Sequence, residues 1–343
     1  MAPDLDRRTY DLLRLVDQHG PIGSIHLFEL MQLHGYDIKD RTIRLLLSEL
    51  DSLELTEKVP GQGRRLTAKG RAELEKGDVN TRLEQLRARI ATLSSHVSYD
   101  PIDDSGVLVA SAAFLSEADA EAALELIDRL ETLPLGPLPV ALEPSEEHEP
   151  GDLRLVTASS ITLDGVLLAH GVDASISNSG VLEYEPTEDE SDDAPLTFGG
   201  RILRYTDVIN GEGSSIDVVS LLIEAGRSDV RSVIETGGRG LLVGDSREFP
   251  ITRFEEARDL AVATRRSLGG ALEFRRPREQ DHLPGGTATW AFGSITYVGP
   301  GELLLTALSE YGLAADWETL YGTVERATLE PVRAARPEPT LDD

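Results

Sequence analysis

Between Pro21 and Leu74 several features follow one another in an order that few folds accommodate. A helical spacing of apolar residues starts after Ser24 (Ile25, Phe28, Leu30, Met31, Leu33) and stops at Gly35-Tyr36-Asp37. A second periodic run holds Ile43, Leu46, Leu47, Leu50 and Leu53, which leaves Arg41, Thr42, Arg44, Ser48 and Glu49 on the opposite face. Two short β-prone stretches, Leu55 to Val59 and Arg65 to Thr67, then flank Pro60-Gly61-Gln62-Gly63, a turn whose glycines tolerate positive φ. An amphipathic helix from about Leu5 to Gln18 precedes the set and ends at His19-Gly20-Pro21. Asp37 is expected to cap the second run with Asp40 as the capping-box acid, and Thr67 to cap a short helix reaching Lys76. Helix, turn, helix and hairpin in this order predict a winged helix-turn-helix over residues 1–77.

Such a domain places the N-terminal residues of its second helix against base edges in the major groove. Lys39, Arg41, Thr42 and Arg44 occupy that position, and arginine can grip guanine O6 and N7 through two hydrogen bonds. Gln62, Arg64 and Arg65 at the wing would reach phosphate or the minor groove. The expected partner is therefore double-stranded operator DNA. A winged helix used only for protein contacts, with its arginines as surface charge, is the alternative.

The formal net charge of −28 falls entirely after residue 99: residues 1–99 carry 15 basic and 15 acidic side chains, the remainder 18 and 46. Lysine occurs only at Lys39, Lys58, Lys69 and Lys76, and cysteine is absent. An acidic, lysine-poor, cysteine-free chain suits a halophilic archaeon, where carboxylates keep surfaces hydrated. At about 1 M salt the Debye length is about 3 Å and counterion release loses its force, so a neutral DNA-binding domain would rely on close contacts. No apolar run is long enough to span a bilayer and no secretory segment is visible, so a soluble cytoplasmic protein is expected. The phosphate-binding G-x-x-x-x-G-K-[S/T], a G-x-S-x-G nucleophile turn and H-x-x-x-H zinc spacing are all missing, so neither an enzyme, a cofactor nor a metal site is predicted.

From Asn80, Leu83, Leu86, Ile90, Leu93 and Val97 recur in steps of three and four, a two-heptad seam that marks residues 78–104 as a helical linker and dimerisation segment. A helix packing on its own domain explains the same spacing. Beyond Tyr99 to Ser105 the pattern is mixed. Strands are expected at Val107 to Leu115, Leu153 to Val156, Ile161 to Leu168, Gly240 to Gly244, Ala271 to Phe274 and Thr289 to Val298. Helices are expected at Ser116 to Leu133, Ile216 to Ala225, Arg253 to Leu268 and Gly301 to Tyr311. Glu183 to Asp193 reads as an acidic loop, and residues 333–343 as a disordered tail. The fold class is thus α/β multidomain: an N-terminal winged helix, a helical linker, and a C-terminal mixed α+β regulatory domain over 105–332. Within that domain Asp207 to Asp217 forms a Gly/Ser-rich loop with amides and hydroxyls for an anion, and Arg201, Arg204, Arg239 and Arg247 stand out among the acids. Two arginines would suit a dicarboxylate; neutralising neighbouring acids is the other use for them.

HGPIGSIHLFELMQLHGYDIKDRTIRLLLSELDSLELTEKVPGQGRRLTAKGRAEL resembles the winged helix of ribonuclease R and of the NrpR archaeal nitrogen regulatory repressors. ITLDGVLLAHGV, RYTDVINGEGSSIDVVSLLIEAG, SVIETGGRGLLVGDSREFP and ADWETLYGTVE are similar to the NrpR regulatory domain. The resemblance implies a homodimeric repressor of nitrogen-assimilation genes, induced by 2-oxoglutarate. Carried over by position, the regulatory residues would be Thr206, Gly213, Ser214, Ser215 and Asp217, with Arg247 in SREFP; Arg204 joins them as a ligand-binding candidate. Many relatives carry two regulatory domains and this chain has room for one, so a partner chain would supply the second. The segment LPGGTATWAFGSITYVGPGE departs from the family, with Trp290 and Tyr297 where smaller aliphatics are expected. The alternatives are a winged-helix regulator of another pathway sensing a different ligand, and an RNA-associated accessory protein.

Overall fold

The computed structural model describes residues 7–33, 38–187, 196–210, 218–277 and 291–335. The chain divides into two compact units, Met1–Gln85 and Leu86–Asp343, each with its own core.

The first unit contains α1 (Arg7–His19), α2 (Ser24–Leu33), α3 (Asp40–Ser52), β1 (Thr56–Val59) and β2 (Gly63–Leu66), followed by α4 (Ala68–His96), which continues past the boundary. Leu12, Leu13, Leu15 and Val16 of α1 and Ile43, Leu47 and Leu50 of α3 are buried together, as their spacing predicts. The reading of α2 needs correction. Leu27 and Met31 are its fully buried residues, whereas Ile25 is 65% exposed. The helix is apolar on more than one side, so periodicity alone does not reveal its inner face. Thr67 caps α4 as expected: its Oγ1 accepts from the Gly70 amide at 2.9 Å. The predicted break near Lys76 is absent, however, and one helix runs through to His96.

The second unit comprises the C-terminal end of α4, then β3 (Val107–Leu115), α5 (Ala120–Glu131), β4 (Val140–Pro144), β5 (Leu153–Ala158), α6 (Ile161–Ala169), β6 (Ser175–Glu185), β7 (Thr197–Phe198) and β8 (Arg201–Asn210). It continues through α7 (Val218–Glu224), α8 (Val230–Thr236), β9 (Gly240–Pro250), α9 (Phe254–Leu268), β10 (Ala271–Arg275), β11 (Phe292–Val298), α10 (Pro300–Glu310) and β12 (Asp316–Glu325). The strands form two antiparallel sheets, one ordered β12-β3-β5-β4 and the other β7-β10-β11-β9-β6-β8. In the larger sheet β8, last in the hydrogen-bonded order, also comes against β10, so the sheet curls. Helix α10 packs on β3 and β5 of one sheet and β9 of the other, and every residue from Pro300 to Leu308 is buried.

Ile161 to Leu168, expected as a strand, is helix α6. Ile161, Leu163, Val166 and Leu167 are all buried, and a helix covered on several sides carries no amphipathic signature. Gly165 is required there: a Cβ would lie 2.3 Å from Val97 Cγ2 and 2.8 Å from the Ser94 carbonyl oxygen. The same contact bears on the heptad seam. Val97 is buried, and Ile90 and Leu93 pack against the core of the second unit, where Arg89 also donates to the Leu320 carbonyl. The C-terminal half of the seam thus serves its own domain; the side chains of Leu83 and Leu86 lie outside the described residues. Glu183 to Glu185, read as loop, belongs to β6. The segment expected as a tail begins in contact, with Arg333 paired to Asp128 and Ala335 against the core.

Candidate nucleic-acid interface and regulatory-domain sites

Helix α3 begins at an extended Lys39 (φ −100, ψ 147) with no side-chain cap; Asp37 lies outside the described residues. Burial of Ile43, Leu47 and Leu50 turns the other face outward, so Lys39, Arg41 and Arg44 are exposed and Thr42 is half-buried. Four of the expected base-proximal residues therefore share the N-terminal part of one helix.

The wing is more than a hairpin. Ile22 and Arg64 exchange backbone hydrogen bonds, N to O at 2.9 Å in each direction, a single bridge that ties the segment before α2 to the outer edge of β2. This pairing explains Gly63. Its φ is +120°, and a Cβ there would stand 2.1 Å from the Ile22 carbonyl oxygen. Gln62 and Arg65 are exposed, and Arg65 pairs with Glu57 at 2.7 Å. Arg64 turns inward instead: its Nε donates to both carboxylate oxygens of Asp51 on α3, at 3.2 and 3.0 Å, and Thr56 donates to the same Asp51. Arg64 braces the wing against α3, a role its place in the sequence does not reveal.

Of the regulatory-domain candidates that are described, Arg204 and Thr206 lie on β8 and Arg247 on β9. Gly213, Ser214, Ser215 and Asp217 lie outside the described residues. Arg204 is exposed and pairs with Glu183 at 2.7 Å, while Thr206 donates to the Val181 carbonyl. Arg201 and Arg239 pair with Glu185, so these surface arginines neutralise their neighbours on β6.

Arg247 differs from all of these, being fully buried at the centre of β9. Its Nε reaches both oxygens of Asp164 on α6 at 2.9 Å and its Nη2 donates to Asp164 Oδ2 at 2.7 Å. Asp245, two residues earlier on the same strand face, brings a carboxylate oxygen to 4.0 Å of Arg247 Nη2 and accepts from Ser160 Oγ at 3.2 Å. Glu302, in the first turn of α10, accepts from the Ser160 amide, while its Oε2 has no partner. Burial raises the Asp245 pKa, with Arg247 opposing, and burial together with the Asp245 charge pushes Glu302 up to about 7. Burial and hydrogen bonding do not free the arginine for a ligand: its guanidinium is already committed to Asp164. The chemistry here is structural, a buried charge holding α6 and α10 to the large sheet. Asp245 was discoverable, because it stands two residues before Arg247 in a strand and so shares its face; Asp164 and Glu302 are brought in only by the fold.

On the smaller sheet a cleft of about 360 Å³ is lined by Phe114, Glu146, His148, Glu149, Glu318 and Tyr321. Arg154 spans Glu143, Glu146, Glu149 and the Tyr321 hydroxyl beside it. Its carboxylates make this cleft a poor host for an anion. Among the described residues no group of three or more His, Asp or Glu side chains could hold a metal ion, and no helix is long and apolar enough to cross a membrane.

Residues 83–330 match the family of NrpR regulatory domains NRD1 and 2, and residues 10–74 match the ribonuclease R winged-helix domain. The global nitrogen regulator NrpRI of Methanosarcina mazei is 24% identical over 346 residues, covering 97% of this chain and all of that protein. The global nitrogen regulators NrpR of Methanococcus maripaludis and Methanocaldococcus jannaschii are 30% and 27% identical over 69% and 74% of this chain, which spans only 40% and 43% of their lengths. The crystal structure of a nitrogen repressor-like protein from Methanococcus jannaschii superposes with a TM-score of 0.54 at 19% identity, over 71% of this chain and 97% of that one, a likeness of fold.

Proposed function

The chain belongs to the family of NrpR regulatory-domain proteins, and on that premise we propose that it is a DNA-binding transcriptional repressor of nitrogen-assimilation genes, released by a small anionic metabolite such as 2-oxoglutarate. The observation that carries this reading is the joining, in one chain, of that regulatory domain to a winged helix whose α3 turns Lys39, Arg41 and Arg44 outward. Arg41, Thr42 and Arg44 contact bases or nearby phosphates, and Gln62 and Arg65 reach the backbone from the wing. The metabolite changes the placement of two winged helices in a homodimer. Ile90, Leu93 and Val97 are occupied within their own domain, so the dimer contact does not centre on the C-terminal half of the seam. A coupling of about 1–3 kcal/mol would change operator affinity roughly 5- to 150-fold.

The test is a gel shift in concentrated KCl on an operator selected from random duplexes, with 2-oxoglutarate titrated into the complex. Release at millimolar 2-oxoglutarate is expected, together with loss of binding in Arg44→Ala at unchanged circular dichroism. Binding that ignores both ligand and substitution would overturn the proposal. Stronger competition by structured RNA than by duplex DNA would favour an RNA-associated role, consistent with the ribonuclease R-type winged helix.

A further inference from the structure

The face of the large sheet opposite Arg247 carries a second polar group that the network around Arg247 does not use. Residues directly opposed in antiparallel strands share a face. Arg275 on β10 lies opposite Ser294 on β11, which lies opposite Glu248 on β9. In the next such row Glu273 faces Thr296, which faces Ser246. Thr296 Oγ1 and Ser246 Oγ are 2.6 Å apart, and Ser246 meets the Tyr205 hydroxyl at 2.8 Å. These groups are almost inaccessible: Arg275 is 8% exposed, Ser294 2% and Ser246 0%.

Two of the buried atoms are unsatisfied. Arg275 directs Nε and Nη2 to Glu273 Oε2, at 2.9 and 2.7 Å, but its Nη1 has no acceptor. Ser294 Oγ, on the neighbouring strand, also has no partner. Buried polar atoms are nearly always paired, because an unmade hydrogen bond forfeits the water given up on burial. Two such orphans at directly opposed positions, one a guanidinium N–H and the other a hydroxyl, form a donor pair. Glu273 holds one edge of the guanidinium and thereby fixes the direction of the other.

We propose that Arg275 and Ser294 form a binding site for the carboxylate of a small molecule. One carboxylate oxygen accepts from Arg275 Nη1 and the other from Ser294 Oγ, the charge-assisted arrangement for which arginine is suited. Glu248, half-buried across from Ser294, repels a second negative group on the β9 side, so the rest of the ligand lies toward the hydroxyls of Thr296, Ser246 and Tyr205. As an effector site this rests on the reading of the domain as a sensor; as a binding site it rests on the two unpaired buried donors at opposed strand positions.

Titration calorimetry of the full chain with 2-oxoglutarate and with glutamate tests it, since the two differ at one carbon by a keto group against an ammonium. Binding of either is expected, weakened at least about tenfold both in Ser294→Ala and in Arg275→Lys, which keeps the charge beside Glu273 and loses Nη1. Ser294→Ala removes an unpaired hydroxyl, so it leaves the thermal midpoint unchanged or raised and carries the test if Arg275→Lys does not fold. No binding of either compound, or binding unaltered in Ser294→Ala, overturns the site. Operator release by 2-oxoglutarate that persists in these variants overturns the site and leaves the repressor proposal standing. Calorimetric binding without operator release does the reverse.

Discussion

Asp164→Ala would leave the Arg247 guanidinium buried without the carboxylate that receives three of its hydrogen-bond contacts, at 2.9, 2.9 and 2.7 Å. Arg247 is 0% exposed and Asp164 11%, so water cannot replace the lost partner. Breaking a buried ion pair by removing one member costs about 3–5 kcal/mol. At roughly 2–4 °C per kcal/mol for a domain of this size, the thermal midpoint should fall by roughly 6–20 °C. The pH dependence supplies a sharper test. Asp245, 4.0 Å from Arg247 Nη2, is the only other carboxylate described within ion-pair distance of that guanidinium, and its pKa is held up by burial and by the negative charge of Asp164. In the variant that repulsion is gone, and an ionised Asp245 becomes the counter-ion. A buried arginine needs Asp245 deprotonated, so the penalty should be largest at low pH and shrink as pH rises through the Asp245 pKa. Urea melts of wild type and variant over the full pH range in which both remain folded measure this. A penalty below about 1 kcal/mol, or one of the same size at every pH, would refute the assignment of Arg247 and Asp164 as a buried pair that ties α6 to β9.

Glu302→Gln should flatten the pH dependence of stability. The Glu302 pKa is raised to about 7 in the fold, so the folded state holds the proton longer than the unfolded one and wild-type stability falls as pH rises from about 4.5 to 7. The variant should therefore gain on wild type above neutrality, by an order of about 3 kcal/mol at most, read from denaturation midpoints at both ends of that range. Arg64→Ala and Arg65→Ala should separate in their effects: the first should lower the stability of the winged helix by about 1–3 kcal/mol because Asp51 loses its charged partner and keeps only Thr56, and the second should weaken operator binding at an unchanged melting temperature. Gly63→Ala should destabilise the same unit by at least about 1–3 kcal/mol, since the added methyl meets the Ile22 carbonyl at a positive φ; a melting temperature equal to wild type would argue against the bridge between Ile22 and Arg64.

What could be read from residue order alone was whatever has one wet face and one dry face. The inner residues of α1 and α3, the outward placement of Arg41 and Arg44, the hairpin turn and the Thr67 cap all follow from local periodicity or local hydrogen bonding. The resemblance to the regulatory family was likewise legible, because its motifs are contiguous. The failures share a cause. Helix α6 is covered on several sides, α2 is apolar beyond its buried face, and β12 pairs with β3, far earlier in the chain, so none displays the pattern its conformation ordinarily leaves. Among the candidate site residues, Arg64 and Arg247 were singled out for their charge, yet charge does not say whether a guanidinium meets solvent, a ligand or a buried carboxylate. Asp51 lies 13 residues from Arg64 and Asp164 lies 83 from Arg247. Periodicity acts over a turn or a strand and was written into the sequence. Pairing across such separations costs loop entropy that only the packed core repays, so the partners of these arginines were decided by tertiary structure.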